Sequence, residues 1–390
     1  MNIKTIKQIK DLKNKRVLMR CDFNVPIKDG VVKDDFKIKK TLPTIDYLLN
    51  KGARLILTSH LGRPDGEVKP EFSLEPVKKR LQFLLNKDIK LFKMSDLAKL
   101  AEYDFSASQV AMLENTRYSP DEKKDVGSFA KDLSNVADIF VSDCFGVAHR
   151  AHASIVGPAR HLPAYAGLLL EQEVQGLSKV MTEPEHPFVA ILGGAKMETK
   201  IPVLKNMLEK ADKILVGGGI VNTYLWAKGY KVGKSLIDQN LKKEAEIYGD
   251  KKKVIMPIDV VVGSFDGEQH QVMKIDKNFK LKSGWGIFDI GPETIKMYSM
   301  YIKQAQTLVW NGAVGYFEQH PYEYGTHSVA RLVASRSKGH AFGVCGGGET
   351  VEVLKKLKII DDVDLVSTGG GSMLEFLSGK SLPGVEIVKI

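Results

Sequence analysis

The chain of 390 residues is 43% hydrophobic and 27% charged, the composition of an ordinary soluble protein but more than one hydrophobic core organises, so two domains are expected. Its formal net charge of +10 is scattered lysine, as at Lys4, Lys7, Lys10, Lys13 and Lys15, with no stretch that interleaves it with the stacking aromatics single-stranded nucleic acid requires; nucleic acid is not expected as a partner. Three widely spaced cysteines argue against a disulfide framework, the start lacks the apolar segment of a secretory signal and no run reaches the length of a membrane span, so a cytoplasmic protein with no membrane partner is expected.

Along the chain, short β-branched or apolar runs alternate with longer helical patterns, the signature of parallel sheets built from βαβ units. Strands are predicted at 16–20, 54–58, 110–113 and 139–141. A helix is predicted next at 168–180, and a proline-bearing linker at 181–187. The second series of strands is predicted at 188–192, 213–216, 254–257, 307–310, 341–344 and 364–366. The predicted class is α/β: two Rossmann-like domains, each a parallel sheet flanked by helices, joined by a hinge helix.

Ligands of open α/β sheets bind beyond the carboxyl ends of the strands, so function is read from the residues just after each run. In the first half these positions hold Arg20, Asp22 and Asn24, then His60 and Arg63, then Arg117, then His149, Arg150 and His152. Four arginines and up to three histidines at one sheet edge make a cation-rich pocket for a small, multiply anionic molecule. The second half ends its strands in glycine: Gly193 and Gly194, Gly217 to Gly219, Gly312 and Gly315, Gly346 to Gly348, and Gly369 to Gly371. Glycine there lets backbone N–H groups and helix N-termini approach phosphates, which points to a nucleotide. None of these runs has the G-x-G-x-x-G spacing of a dinucleotide fold, which counts against a dehydrogenase. The segment Gly229 to Ser235 imitates a phosphate-binding loop but is one residue short and comes after no predicted strand. Two charged ligands on separate lobes describe an enzyme that closes to exclude water and align donor with acceptor, as phosphoryl transfer requires.

Eight segments, RCDFNVP at 20–26, TSHLGRP at 58–64, LENTRY at 113–118, SDCFGVAHRAH at 142–152, LGGAK at 192–196, WNGAVGYFE at 310–318, GGGET at 346–350 and STGGG at 367–371, resemble phosphoglycerate kinase in sequence, order and spacing. The resemblance implies reversible transfer between 1,3-bisphosphoglycerate and ADP, giving 3-phosphoglycerate and ATP in glycolysis, with Mg2+, by a monomer. It implies a phosphoglycerate domain at 1–168 to which 374–390 return, a connecting helix and linker at 169–183, and a nucleotide domain at 184–373. Asp22, Asn24, Lys37, His60, Arg63, Arg117 and Arg150 then resemble the acidic-substrate ligands. Gly193, Gly194, Lys196, Lys200, Gly217, Gly218, Asn311, Gly312, Glu318, Gly346, Gly347, Gly348, Glu349 and Thr350 resemble the nucleotide site, with Glu349 toward the metal.

Stabilisation of the migrating phosphoryl is expected from Lys37, Lys200 and the amides of Gly370 and Gly371, a mobile cation from one lobe meeting helix N-terminal amides from the other. The acceptor is already anionic, so the histidines are expected to orient substrate, with His152 in a structural hydrogen bond. Four positions depart from the family: Lys37 stands for an arginine, Glu349 and Thr199 for aspartates, and Ala313 for a proline. The alternative they raise is an attenuated paralogue that binds or scaffolds without turnover.

Overall fold

In the computed structural model, which describes residues 1–124 and 128–390, the chain divides into two units, Met1–Gln175 with Ser381–Ile390, and Gly176–Lys380.

Six parallel strands form the sheet of the first unit, in the order Lys90–Phe92, Val110–Leu113, Arg54–Thr58, Arg16–Cys21, Ile139–Asp143, Ala164–Ala166. The central strands are apolar on both faces because helices cover both. Met19, Leu55, Leu57 and Val141 pack with Ile38, Ile45 and Leu48 of helix Phe36–Asn50 on one side. Leu18, Ile56 and Phe140 meet Phe129 and Leu133 on the other. Strand Arg16–Cys21 lies between Arg54–Thr58 and Ile139–Asp143, so its carboxyl end, carrying Asp22, opens at the middle of the sheet.

The parallel sheet of the second unit runs Val254–Ile255, Lys213–Val216, Phe188–Leu192, Thr307–Asn311, Phe342–Gly346, Leu365–Val366. This is the doubly wound order, whose switch point lies between Phe188–Leu192 and Thr307–Asn311. To it the fold adds an antiparallel sheet of Asp259–Gly263, His270–Lys274 and Gly286–Ile290, which a purely parallel reading misses. Strand Asp259–Gly263 is buried on nearly every residue and His270–Lys274 exposed on nearly every one, so neither shows the alternation by which half-buried strands are recognised. The short strands Lys90–Phe92 and Ala164–Ala166 were likewise not anticipated.

Helix Leu168–Thr182 carries the chain from the first unit to the second, the division falling between Gln175 and Gly176. Helix Gly370–Leu377 belongs to the second unit, and the chain returns to the first at Ser381. There Lys4 N–H bonds to Val388 O at 2.7 Å and Gly384 N–H to Ala148 O at 2.8 Å. Among the described residues no helix is long and apolar enough to cross a membrane.

Candidate active site

At the strand ends of the first unit a set of side-chain to backbone bonds holds the polar residues in place. Ser59 Oγ accepts the Phe23 N–H at 2.8 Å, and Asn24 Oδ1 accepts the Gly62 N–H at 3.0 Å. Asn115 Oδ1 takes the N–H groups of Leu61 and Arg117, both at 3.1 Å, while its Nδ2 donates to Leu61 O at 2.7 Å and Phe72 O at 2.9 Å. One buried amide thus ties the loop bearing His60 and Arg63 to the one bearing Arg117.

Lys37, from the first turn of its helix, donates to Asp22 Oδ2 at 2.7 Å. Burial pushes the Asp22 carboxyl up, but Lys37, His60 and Arg20 outweigh it and bring it down to about 2. Burial, helped by Arg20, Arg117 and Lys37, holds the imidazole of His60 well below its ordinary range against the pull of Asp22. Arg20 Nη2 lies 3.4 Å from His60 Nδ1; a guanidinium only donates, so Nδ1 accepts and the ring proton sits on Nε2. A neutral His60 with a fixed donor suits orientation of an anion. Arg117 is buried, its Nε without a hydrogen-bond partner among the described residues, and burial followed by the fields of Arg150 and Arg20 lowers it to about 10. Arg63 is exposed, and Arg150 is half-buried with its Nε on His149 Nε2 at 3.2 Å.

Two expectations change here. Arg20 is not a free cation: at 1% exposure it donates to Ser154 Oγ at 2.8 Å and to Cys21 O, and lies 3.9 Å from Glu122. His152 Nδ1 stands 4.0 Å from Glu122 Oε1, too far for a hydrogen bond between the two, and burial lowers its imidazole to about 4 against the pull of Glu122. Sequence reasoning missed Glu122, which accepts from Ser154 N at 2.8 Å, Ser154 Oγ at 2.6 Å and Thr116 Oγ1 at 3.2 Å. No strand ends near it in sequence, so nothing marked it.

The glycines of the second unit divide into two kinds. The amides of Gly193, Gly194, Gly217 and Gly218 are already bonded, to Asn311 O, Ala313 O, Leu192 O and Val314 O. These residues are glycine for close approach: a Cβ on Gly193 would lie 2.1 Å from Ala313 O, and Gly218 has φ of 58°. Gly312 N–H donates to the buried Thr350 Oγ1 at 2.9 Å, so Thr350 fixes the loop. Gly346 ends its strand, and Gly347 precedes helix Gly348–Lys356. The first-turn amides of that helix and of Gly370–Leu377 have no partner within their helices, leaving two N-termini for anions.

Lys200, just before helix Ile201–Lys210, is 7% exposed and donates to Asn311 Oδ1. Burial lowers its pKa to about 8 against the attraction of Glu349. Asn311, at 1% exposure, therefore positions Lys200. Lys200 and the Gly370 and Gly371 amides lie in the same unit, so the expected meeting of cation and amides from opposite lobes is not their arrangement; Lys37 is the cation of the other unit. Glu349 Oε2 accepts the Ala313 N–H at 3.1 Å. A proline at 313 has no such N–H, so two of the departures bond to each other. Thr199 Oγ1 donates to the carbonyl of exposed Lys196 at 3.1 Å.

Beside these groups lies a cavity of about 600 Å³ lined by Gly194, Gly218, Val314, Glu318 and Glu349, with Phe265, Phe288 and Tyr316 among its apolar walls. Phe288 comes from strand Gly286–Ile290 and Phe265 from the connection between Asp259–Gly263 and His270–Lys274, and Asp289 ties the antiparallel sheet to helix Tyr324–Ser337, accepting Gly325 N–H at 2.6 Å. The Asp-Gly pair at 266–267, a hairpin signal, was the clue available in sequence. Among the described residues no three His, Cys, Asp or Glu side chains stand close enough to hold a metal by themselves. Glu349, a carboxylate at the cavity beside Gly194 and Ala313, fits a magnesium ion held chiefly by nucleotide phosphates and water.

The phosphoglycerate kinase family model matches residues 6–380. A phosphoglycerate kinase of Pelotomaculum thermopropionicum is 44% identical over 98% of both chains, and one of Borreliella afzelii 42% identical over the whole of both. Among solved structures, phosphoglycerate kinase from Coxiella burnetii superposes with a TM-score of 0.87 at 38% identity, covering 99% of both chains. That from Pyrococcus horikoshii superposes at 0.86 and 31% identity, covering 99% of this chain and 98% of its own.

Proposed function

Since the chain belongs to the phosphoglycerate kinase family and is a phosphotransferase with a carboxyl acceptor, interconverting 1,3-bisphosphoglycerate and ADP with 3-phosphoglycerate and ATP, we propose a division of that reaction between its two units. The strand ends of the first unit bind the glycerate: Arg63, Arg117 and Arg150 take its anionic ends, His60 donates from Nε2, and Asn24 orients it. Asp22 places Lys37, whose ammonium faces the migrating group as a point charge rather than the two-pronged fork of an arginine.

The nucleotide occupies the cavity of the second unit, its ring among the apolar walls and its ribose toward Glu318. Its phosphates reach the amides of Gly348, Gly370 and Gly371, with Lys196 at the mouth. Lys200 and those amides stabilise the charge that spreads over the equatorial oxygens of a metaphosphate-like transition state. Bound Mg2+, held by the phosphates with Glu349, supplies charge neutralisation. Neither direction needs a general base, since the acceptor is a carboxylate or a phosphate oxygen. In-line transfer requires the two bound ligands to meet, and helix Leu168–Thr182 is the segment assigned to that step. We assign the protein to the cytoplasm as a monomer, and no observation favours the attenuated alternative.

The observation that carries this reading is Lys200, buried and held by Asn311 beside the cavity with Glu349. A steady-state assay with ATP, magnesium and 3-phosphoglycerate should show turnover in the wild type and a loss of roughly 100-fold or more in Lys200→Ala. Equal rates would remove Lys200 from the mechanism.

A further inference from the structure

The second unit holds another cavity, of about 810 Å³, that shares no lining residue with the first and contains none of the groups assigned to transfer. Its floor is apolar and aromatic, with Tyr230 set edge-on to Phe279 at 6.0 Å, and Lys228, Lys231, Lys277 and Lys280 line it. Lys228 is neutralised, its Nζ lying 2.6 Å from Asp250 Oδ2. The other three have no ion-pair partner among the described residues, and Asp276, beside Lys277, accepts the Asn278 N–H at 2.7 Å. Lys231 and Lys280 are moreover direct partners in a parallel β-bridge. Like charges placed opposite each other across such a bridge repel, and neither ammonium has an ion-pair partner among the described residues.

We propose that this cleft is a second anion site, which takes a small ligand carrying a chain of phosphates. Lys231 and Lys280 bridge adjacent phosphates, Lys277 adds a third ammonium, and the aromatic floor accommodates a flat ring where the ligand has one. The volume falls in the range of small-molecule sites. The site also accounts for the glycine and lysine segment at 229–235. That segment comes after helix Gly219–Ala227 rather than a strand and so cannot cradle phosphate as a strand-to-helix loop does, yet it delivers Lys231 to the cleft.

The test titrates inorganic tripolyphosphate into the full-length protein by calorimetry, for wild type and for Lys231→Gln/Lys280→Gln, with hydrogen exchange read over 224–231 and 275–280. We expect the double variant to lose one binding event or weaken it at least about tenfold. Its turnover with ATP and 3-phosphoglycerate should stay unchanged, and tripolyphosphate should protect both segments in the wild type. Superimposable isotherms, or no protection in either segment of the wild type, would overturn the proposal. ATP in place of tripolyphosphate separates the sources: tighter binding lost in the double variant assigns a nucleoside polyphosphate, and equal binding assigns the phosphate chain alone.

Discussion

The ammonium of Lys200 gives up most of its hydration in the fold, and burial lowers its pKa to about 8 although Glu349 pulls the other way. The value lies below that of an unfolded lysine, so the protonated side chain costs stability below about pH 8, and that cost fades as pH rises toward the unfolded value. Activity has the opposite sign, because only the charged form stabilises the transition state. We expect kcat/KM for the nucleotide to fall as pH rises through about 8, and Lys200→Arg, charged throughout, to move that limb upward. A pH–rate profile of both proteins checks this; coincident limbs would assign the fall to another group. Arg63, Arg117 and Arg150 were legible in sequence because each comes after a strand in a sheet whose carboxyl edge binds ligands. The bond between Ala313 and Glu349 was not, since residues so far apart in sequence meet only because the strands that precede them, Thr307–Asn311 and Phe342–Gly346, lie side by side in the sheet.

At the scale of elements, helix Leu168–Thr182 begins on a buried acid. Leu170 N–H donates to Asp143 Oδ1 at 3.1 Å, Leu168 N–H donates to Thr44 Oγ1 at 2.9 Å, and Thr44 in turn bonds Asp143. Burial raises the Asp143 carboxyl to about 7; the Thr44, Leu170 and Leu169 bonds oppose the shift and Glu173 adds to it. A raised acid stabilises the fold fully below its unfolded value and loses that contribution as pH rises through the folded one. Wild-type stability should therefore decline between about pH 4 and pH 7 by an increment that Asp143→Asn, which keeps the acceptor, removes. Denaturant midpoints across that window measure it, and parallel pH profiles would dismiss Asp143 as the source. The connecting helix itself was legible from its apolar spacing, as were most parallel strands from their continuous apolar runs. The antiparallel sheet was not, because uniformly buried and uniformly exposed strands have no period to read. Nor did the glycine runs separate, in sequence, those needed for close backbone approach from those that open a helix N-terminus.

For the whole molecule, the division into units puts both chain ends in the same one. Ile3 bridges Lys389, and Leu382, Val385 and Val388 are buried at 2%, 1% and 0% exposure, while Ile387 packs on Cys144, Val147, Ile155 and Val156. Each fully buried aliphatic side chain contributes about 1.5–3 kcal/mol, so removing the segment takes away a sum comparable to the ~5–15 kcal/mol that holds an entire domain folded. The three tryptophans, Trp226, Trp285 and Trp310, all lie in the other unit, and two of them are buried, so their fluorescence reports that unit alone. Truncation after Lys380 should therefore abolish the part of the far-ultraviolet dichroism transition owed to the first unit, together with 3-phosphoglycerate binding. The tryptophan transition and ADP binding should survive within a few degrees and about twofold, as expected for domains with separate cores. If the tryptophan transition fell in step with the rest, the two units would be one cooperative block, and the second would depend on the C-terminal segment without containing it.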